Sequence, residues 1–289
     1  MVRIMSAEHQ TAGMPAVSVV LPASNEASLI GPCLRALCAS RLPGVLRAEV
    51  IVVANGCRDD TADRARAEIP TFEARGWDVR VIEQAHGNKL AALNAGDAVA
   101  RHDLRVYLDA DVTVSPDLLA QLVDVLERPG PRYASGRVVI TARSVLSRAY
   151  ARFWQTVPFM RQGVPGCGLF AVNGEGRARW GRFPEIISDD TFVRLSFAPG
   201  ERAGVAATYD WPIAEGFGNL VRVRRRQNAG VAEIEQRYPE LLANDDKPTP
   251  TRGETLAMAL RDPPGFAVYA AVALAVKLRP QAAEWSRGR

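Results

Sequence analysis

A chain of 289 residues, 47% of them apolar, is long and apolar enough to bury a large core, either as one domain or as one domain with an elaborated second part. Its net charge of +4 is mild for that length and excludes a nucleic-acid binder on charge alone, with the densest basic run at Arg222, Arg224, Arg225 and Arg226. The four cysteines, Cys33, Cys38, Cys57 and Cys167, have neither zinc-site nor secreted-disulfide spacing and read as reduced structural thiols of a cytosolic protein.

Residues 1–15 lack the apolar core of a signal peptide and are expected to form a disordered tail or a translation-start extension. From Ala16 onward, apolar runs of strand length alternate with segments of helical period. Strands are expected at 17–22, 50–54, 79–83 and 106–109, and helices at 29–39, 62–69, 90–100 and 118–126. That alternation describes a mostly parallel central sheet with helices on both faces. Each strand is followed by polar residues: Ser24, Asn25 and Glu26; Asn55 to Asp60; His86 to Lys89; Asp109 and Asp111. All four clusters lie at or just past the carboxyl ends of strands, the edge where open α/β sheets bind ligands.

The run at 105–112 (RVYLDADV) is the most informative. Residues two apart on a strand point the same way, so Asp109 and Asp111 suit a hard divalent cation, Mg²⁺ or Mn²⁺, completed by substrate phosphates. A phosphorylated donor follows. The competing reading is a polar turn or a cap for the helix near Pro116, and the pair alone does not decide between them.

Beyond Glu127 the alternation ends. A turn at 129–131 leads to a strand at 133–141 and a helix at 145–160 that carries Trp154 and Phe159. A glycine-rich turn then feeds an apolar strand ending at Val172, where Gly166 and Gly168 permit either a close approach of substrate to backbone or a tight turn. Ser188 or Asp189 is placed to cap a helix at 191–197, and the adjacent carboxylate is left to face a cleft. A helix at 219–238 carries the arginines, a loop spans 244–250, and helix resumes from Leu256. The longest uncharged apolar run, 266–276, falls short of the ~20 residues a membrane-spanning helix needs. With basic residues at its end it is expected to lie on a membrane surface, a core or dimer helix being the alternatives. Trp154, Trp180 and Trp211 read as core residues, with Trp180 in a region where an acceptor can also stack.

Five segments taken together resemble the family-2 glycosyltransferases, which use nucleotide-sugar donors and have the GT-A fold: 19–26 (VVLPASNE), 51–61 (IVVANGCRDDT), 87–96 (GNKLAALNAG), 108–112 (LDADV) and 188–190 (SDD). The resemblance covers Ala16 to about Phe197. It implies an α/β, GT-A-like fold with a Rossmann-like nucleotide-binding half: a catalytic domain over 16–240, split into a nucleotide-sugar half (16–128) and an acceptor half (129–240), then a helical extension over 241–289. Glu26 and Asn55 would line the nucleoside pocket, with Pro22 and Asp59 in the same donor-binding set. Lys89 and Asn94 would lie near the donor, Asp111 would carry Mn²⁺ or Mg²⁺ on the diphosphate, and Asp109 would sit beside the ribose and the metal. Asp190 stands at the place of the general base, and Asp189 where a Glu often precedes it. Gly166, Gly168, Asp189, Arg224 and Arg226 fall to the acceptor or phosphate side.

Two departures matter. The family usually has Asp at the position of Asn55, and because an amide both donates and accepts the base stays open. The Gln-x-x-Arg-Trp pattern of processive synthases is absent, so transfer of single sugars is expected. The implied reaction is inverting attack of an acceptor hydroxyl on the anomeric carbon, with the metal as Lewis acid and Asp190 as base. The arginines would face the diphosphate or an anionic lipid-linked acceptor, or form a solvated helix face or a contact with lipid headgroups. Taken alone, Lys89 reads as an exposed lysine. The resemblance implies an acceptor that is a saccharide or lipid-linked molecule of polysaccharide or glycolipid synthesis, and the expected location is cytoplasmic, with peripheral contact to the inner face of a membrane. One alternative is a nucleotidyltransferase making sugar nucleotides, which normally has a glycine-rich basic loop where this chain has 22–26. The other is a non-catalytic nucleotide-sugar-binding protein. A Rossmann dehydrogenase is disfavoured because no Gly-x-Gly-x-x-Gly follows the first strand.

Overall fold

The computed structural model describes residues 16–42 and 47–278. Among the described residues eight strands form one sheet: β1 (Ala16–Ala23), β2 (Arg47–Asn55), β3 (Asp78–Gln84), β4 (Leu104–Leu108), β5 (Thr113–Val114), β6 (Tyr133–Thr141), β7 (Leu169–Val172) and β8 (Arg202–Pro212). Their order is β3-β2-β1-β4-β7-β6-β8-β5. β1 pairs in parallel with β2 and β4, and β2 with β3. β7 runs antiparallel between β4 and β6, β8 is parallel to β6, and β5 closes the edge antiparallel to β8. β1 and β2 are buried at every position after the first, as expected of central strands covered on both faces.

The helices are α1 (Ile30–Cys38), α2 (Thr61–Ala67), α3 (Ile69–Glu73), α4 (Lys89–Val99), α5 (Leu118–Leu126), α6 (Val145–Trp154), α7 (Pro158–Gln162), α8 (Gly174–Arg177), α9 (Asp189–Leu195), α10 (Phe217–Arg237), α11 (Arg252–Arg261) and α12 (Pro263–Leu278). Strand alternation sorts the core into two layers. Val17, Val19 and Leu21 meet Leu34 of α1 and Leu122 of α5 on one face. Val20, Ile51 and Val53 meet Leu93 of α4 and Val193 of α9 on the other. α4 starts cleanly because the Asn88 side chain accepts from the N–H groups of Leu90 and Ala91.

Three expected elements differ. The helix over 145–160 is two, α6 and α7, because Val157 precedes Pro158 and is held extended at φ −62 and ψ 135. The helix at 62–69 starts at Thr61 and is followed, past Glu68, by a second short helix. The C-terminal helix breaks at Asp262, before Pro263, into α11 and α12. The expected N-terminal tail lies outside the described residues.

α12 is docked on the body. Phe266 packs on Phe153 at 5.4 Å, and Tyr269 on Tyr150 at 5.3 Å. Val272 is fully buried with Leu220 and Val221 of α10, and Asp262 accepts from Arg152 Nε at 2.8 Å. Its outer side leaves Leu274 and Leu278 exposed, alongside Leu256 and Leu260 of α11. No helix among the described residues is long and apolar enough to cross a membrane.

Glu215, between β8 and α10, accepts from the N–H of Arg143 at 2.5 Å and of Ser144 at 3.1 Å, at the start of α6. Desolvation opposes the charge, but these bonds and that of the Ser144 side chain prevail and hold the carboxyl at about 2, against an ordinary 4.5. A depressed pKa means that the stabilisation is complete above about pH 4.5 and is lost as pH falls toward 2. Glu215→Gln is therefore expected to cost about 1–2 kcal/mol at pH 7. In urea denaturation the gap between wild type and variant should close as the buffer is taken down to pH 3.

Candidate active site

A cleft of about 550 Å³ opens at the carboxyl ends of β1, β2 and β4. Pro22, Glu26, Asn55, Lys89, Asp109 and Asp111 line its sheet side, and Gly166, Gly168, Asp189, Asp190, Arg224 and Arg226 line the rest of it. The structure thus brings together twelve of the fourteen residues singled out from the sequence. Asp59 and Asn94 are not among the lining residues. Asp59 braces the loop: it accepts from the N–H of Ala27 at 3.2 Å and from Thr61 Oγ1 at 2.5 Å, while Thr61 Oγ1 accepts from the N–H of Glu26 at 2.8 Å. Asn94 clamps the backbone of Phe183 from both sides, donating to its carbonyl at 3.1 Å and accepting from its N–H at 2.7 Å. Both residues act behind the cleft by fixing loops that reach it.

Asn55 is buried at the end of β2, and its Nδ2 donates to the carbonyls of Ala23 at 2.9 Å and Val53 at 3.3 Å. Those two carbonyls fix the orientation of the amide. Asn25, at φ 55, turns the neighbouring loop and accepts from the N–H of Arg58 at 2.7 Å.

The charged centre is built by Lys89, the first residue of α4. Its Nζ lies 2.9 Å from Asp109 Oδ1 and 3.1 Å from Asp189 Oδ2, tying the end of β4 to the start of α9. Desolvation opposes the ammonium charge, but attraction from Asp109 and then Asp189 outweighs it and raises the pKa. Asp190 sits beside this pair and accepts from the N–H of Thr191 at 2.7 Å. Burial first, and the like charge of Asp189 second, push its carboxyl up to about 6, with Lys89 pulling the other way. Ser188 occupies the cap position of α9 without a side-chain cap bond. Its hydroxyl abuts Gly230 of α10, where a Cβ would fall 2.1 Å from it.

Asp109 and Asp111 stand two apart at the cleft floor, and the described residues contain no cluster of three or more His, Cys, Asp or Glu that could hold a metal. Two carboxylate donors with no such cluster among the described residues fit Mg²⁺ or Mn²⁺, which are commonly held by one or two carboxylates and completed by water and substrate phosphates. The cysteines stay outside this chemistry: all four are free, and burial pushes the thiols of Cys33 and Cys167 up.

The rest of the lining is largely aromatic and aliphatic. Gly166 (φ 68) and Gly168 (φ 73) turn the chain into β7, and the Gly168 carbonyl accepts from the N–H of Asp109 at 2.8 Å. A Cβ on Gly168 would meet Trp211 and Val112 at 2.8 Å. Trp211 and Trp154 pack edge to face at 5.5 Å and lie partly buried against the core, as expected, while both also line the cleft. Trp180 is buried beneath the Arg177 guanidinium at 4.7 Å, outside this cleft, so the stacking role considered for it is not realised there. The arginine run divides. Arg222 donates to Asn219, Arg225 donates to the Ala275 carbonyl and fastens α12, and Arg224 and Arg226 line the cleft.

Residues 18–178 match the model of glycosyl transferase family 2, more than half of the chain, and the protein belongs to that family. It is 29% identical over 187 residues to the beta-monoglucosyldiacylglycerol synthase of Synechocystis sp., covering 60% of this chain and 36% of that one. It is 29% identical over 131 residues to glycosyltransferase AglE of Haloferax volcanii, covering 45% and 42% respectively. The chain therefore matches well under half the length of these relatives. Among solved structures it resembles the mannosyltransferase PcManGT from Pyrobaculum calidifontis in complex with GDP-Man and Mn²⁺, with TM-score 0.57, 21% identity, and 93% of this chain and 77% of that one covered. It also resembles glucosyl-3-phosphoglycerate synthase from Mycobacterium tuberculosis in complex with Mn²⁺, UDP-glucose and glycerol 3-phosphate, with TM-score 0.52, 19% identity, and coverage of 78% and 80%. These likenesses show the GT-A fold: an α/β, mostly parallel sheet flanked by helices.

Proposed function

We propose that the protein transfers a single sugar from a nucleotide-diphosphate sugar to an acceptor hydroxyl, with inversion, Asp190 acting as base and Asp111 and Asp109 holding Mn²⁺ or Mg²⁺. The observation that carries this reading is one cleft in which Asp109 and Asp111 stand at the strand ends while Asp190, its carboxyl near 6, stands on a separate helix. Family membership and the donor and Mn²⁺ complexes of the two structural neighbours support it.

On this reading residues 16–128 bind the donor, 129–240 hold the acceptor, and the C-terminal helices back the acceptor side. With Nδ2 committed to Ala23 and Val53, Asn55 offers its carbonyl oxygen to a ligand and accepts as a carboxylate would. That suits the imide or amide N–H of uracil, thymine or guanine. The bound cation supplies Lewis-acid stabilisation of charge on the leaving nucleotide. Lys89 balances Asp109 and Asp189, and Asp190 accepts the proton of the attacking hydroxyl. Peripheral contact with the cytoplasmic face of a membrane belongs to the same proposal and rests on the exposed leucines of α11 and α12 beside Arg261 and Lys277.

Calorimetric titration with UDP-, GDP- and dTDP-sugars, with and without Mn²⁺, tests the reading, followed by product analysis. One donor is expected to bind in a metal-dependent way and to yield a nucleoside diphosphate. Asn55→Ala should weaken that donor about 5- to 10-fold, the worth of one hydrogen bond. Failure to bind any donor, or release of pyrophosphate from a nucleoside triphosphate, rejects it.

A further inference from the structure

The cleft lining is of two unlike kinds. Besides the carboxylates and Lys89 it includes Trp154, Trp211, Ile213, Leu220 and Val223, together with Arg224 and Arg226. Aliphatic surface is a poor partner for a free sugar, whose hydroxyls lose water on binding without gaining hydrogen bonds. It is a good one for a hydrocarbon chain. Exposed apolar residues also lie at the junction of α6 with the loop after β8. Ser147 Oγ donates to the Ala214 carbonyl at 3.3 Å and accepts from the N–H of Gly216 at 2.9 Å, which sets the first turn of α6 against the loop after β8. At that junction Val145 is 76% exposed and Phe217 40% exposed.

The charge beside this wall is uncompensated. Arg224 donates to the hydroxyls of Tyr150 at 3.0 Å and Tyr269 at 3.1 Å, both neutral, and stacks over the Tyr269 ring. Neither Arg224 nor Arg226 has a carboxylate within ion-pair distance among the described residues, whereas Arg194, Arg177 and Arg152 each have one. Two cations without counter-charges next to an apolar surface are complementary to an anionic group carried on an apolar chain.

We propose that this part of the cleft lining binds an acidic amphiphile as the acceptor, its chain along Trp154, Trp211, Ile213 and Val223 and its anionic group at Arg224 and Arg226. The acceptor role rests on the glycosyl-transfer reading; the binding does not.

Trp154 and Trp211 provide the readout. Tryptophan fluorescence of the full chain is titrated with butyl, hexyl and octyl phosphate below their micelle concentrations, and with octyl glucoside and inorganic phosphate. From butyl to octyl phosphate the Kd is expected to fall about 10-fold or more, less than full burial of four methylenes would give. Octyl glucoside should bind about 10-fold more weakly than octyl phosphate, the worth of a charge-assisted contact, and inorganic phosphate more weakly still. Ile213→Asp, or the milder Val223→Ser, should flatten the chain-length dependence. Arg226→Gln should bring octyl phosphate down to the level of octyl glucoside, and Leu260→Gln, on the exposed side of α11, should change nothing. Binding that ignores chain length, or that survives Ile213→Asp and Val223→Ser but is lost on Leu260→Gln, overturns the inference. Sugar transfer to short neutral saccharides without binding of the phosphates overturns it and leaves the proposed function standing. Binding of the phosphates with no transfer from any donor does the reverse.

Discussion

Asp190→Asn is expected to lower kcat about 10²- to 10⁴-fold, the usual contribution of a general base, while donor affinity measured by calorimetry stays within about twofold of wild type. The amide is nearly isosteric and can still accept from the N–H of Thr191, so the fold of α9 has no reason to change. It cannot take up the hydroxyl proton. The pH profile carries the same assignment further. Because the Asp190 carboxyl is pushed up to about 6, it is protonated below that pH and unable to act, so kcat/KM should fall on the acid side with a midpoint near 6. Its neighbours then predict the direction of two shifts. Asp189→Asn removes a like charge and should move the midpoint to lower pH. Lys89→Met removes the attraction that favours the ionised form and should move it higher. A midpoint that stays fixed in both variants, or an Asp190→Asn enzyme with wild-type turnover, would assign the base elsewhere or make the protein a binder without catalysis.

The parts of this site that could be read from sequence are those set by short-range pattern. β1, β2 and β4 are dominated by apolar residues, so period places their ends and the polar residues after them. β8 escaped notice because Gly204 and Asp210 interrupt it and Tyr209 is its one buried residue; its strand character comes from pairing with β6. Trp211 packs against the core as its type suggests, while its place in the cleft depends on where β8 lies in the sheet. Asn94 and Asp59 carry the family pattern, but their partners show only in three dimensions. The Phe183 clamp closes over 89 residues. Helical period could not divide the arginine run either. Arg225 turns to α12, and Arg224 to Tyr150 of α6 and Tyr269 of α12, contacts between distant segments that no local signal encodes.

Loss of a carboxylate at the strand end should be as damaging as loss of the base, but by another route. In Asp111→Asn the cation-dependent part of donor binding is expected to drop by about 100-fold or more, beyond the 10- to 100-fold typical of removing a residue that only supports a metal ligand, with turnover falling alongside it. Asp109→Asn should differ in kind. Asp109 also holds Lys89 at 2.9 Å, and its charge is one of those that raise Asp190. Removing it should weaken Mn²⁺-dependent binding and at the same time move the acid midpoint of kcat/KM to lower pH. With Asp109 gone, Lys89 retains Asp189 at 3.1 Å as its partner, so the ammonium stays in the cleft and the variant should fold. Donor titrations with and without Mn²⁺, read beside the pH profiles, separate a carboxylate that serves the metal alone from one shared between metal and base. Equal metal dependence in wild type and Asp111→Asn would place the cation on other ligands and leave the strand-end pair with only its electrostatic part in the site.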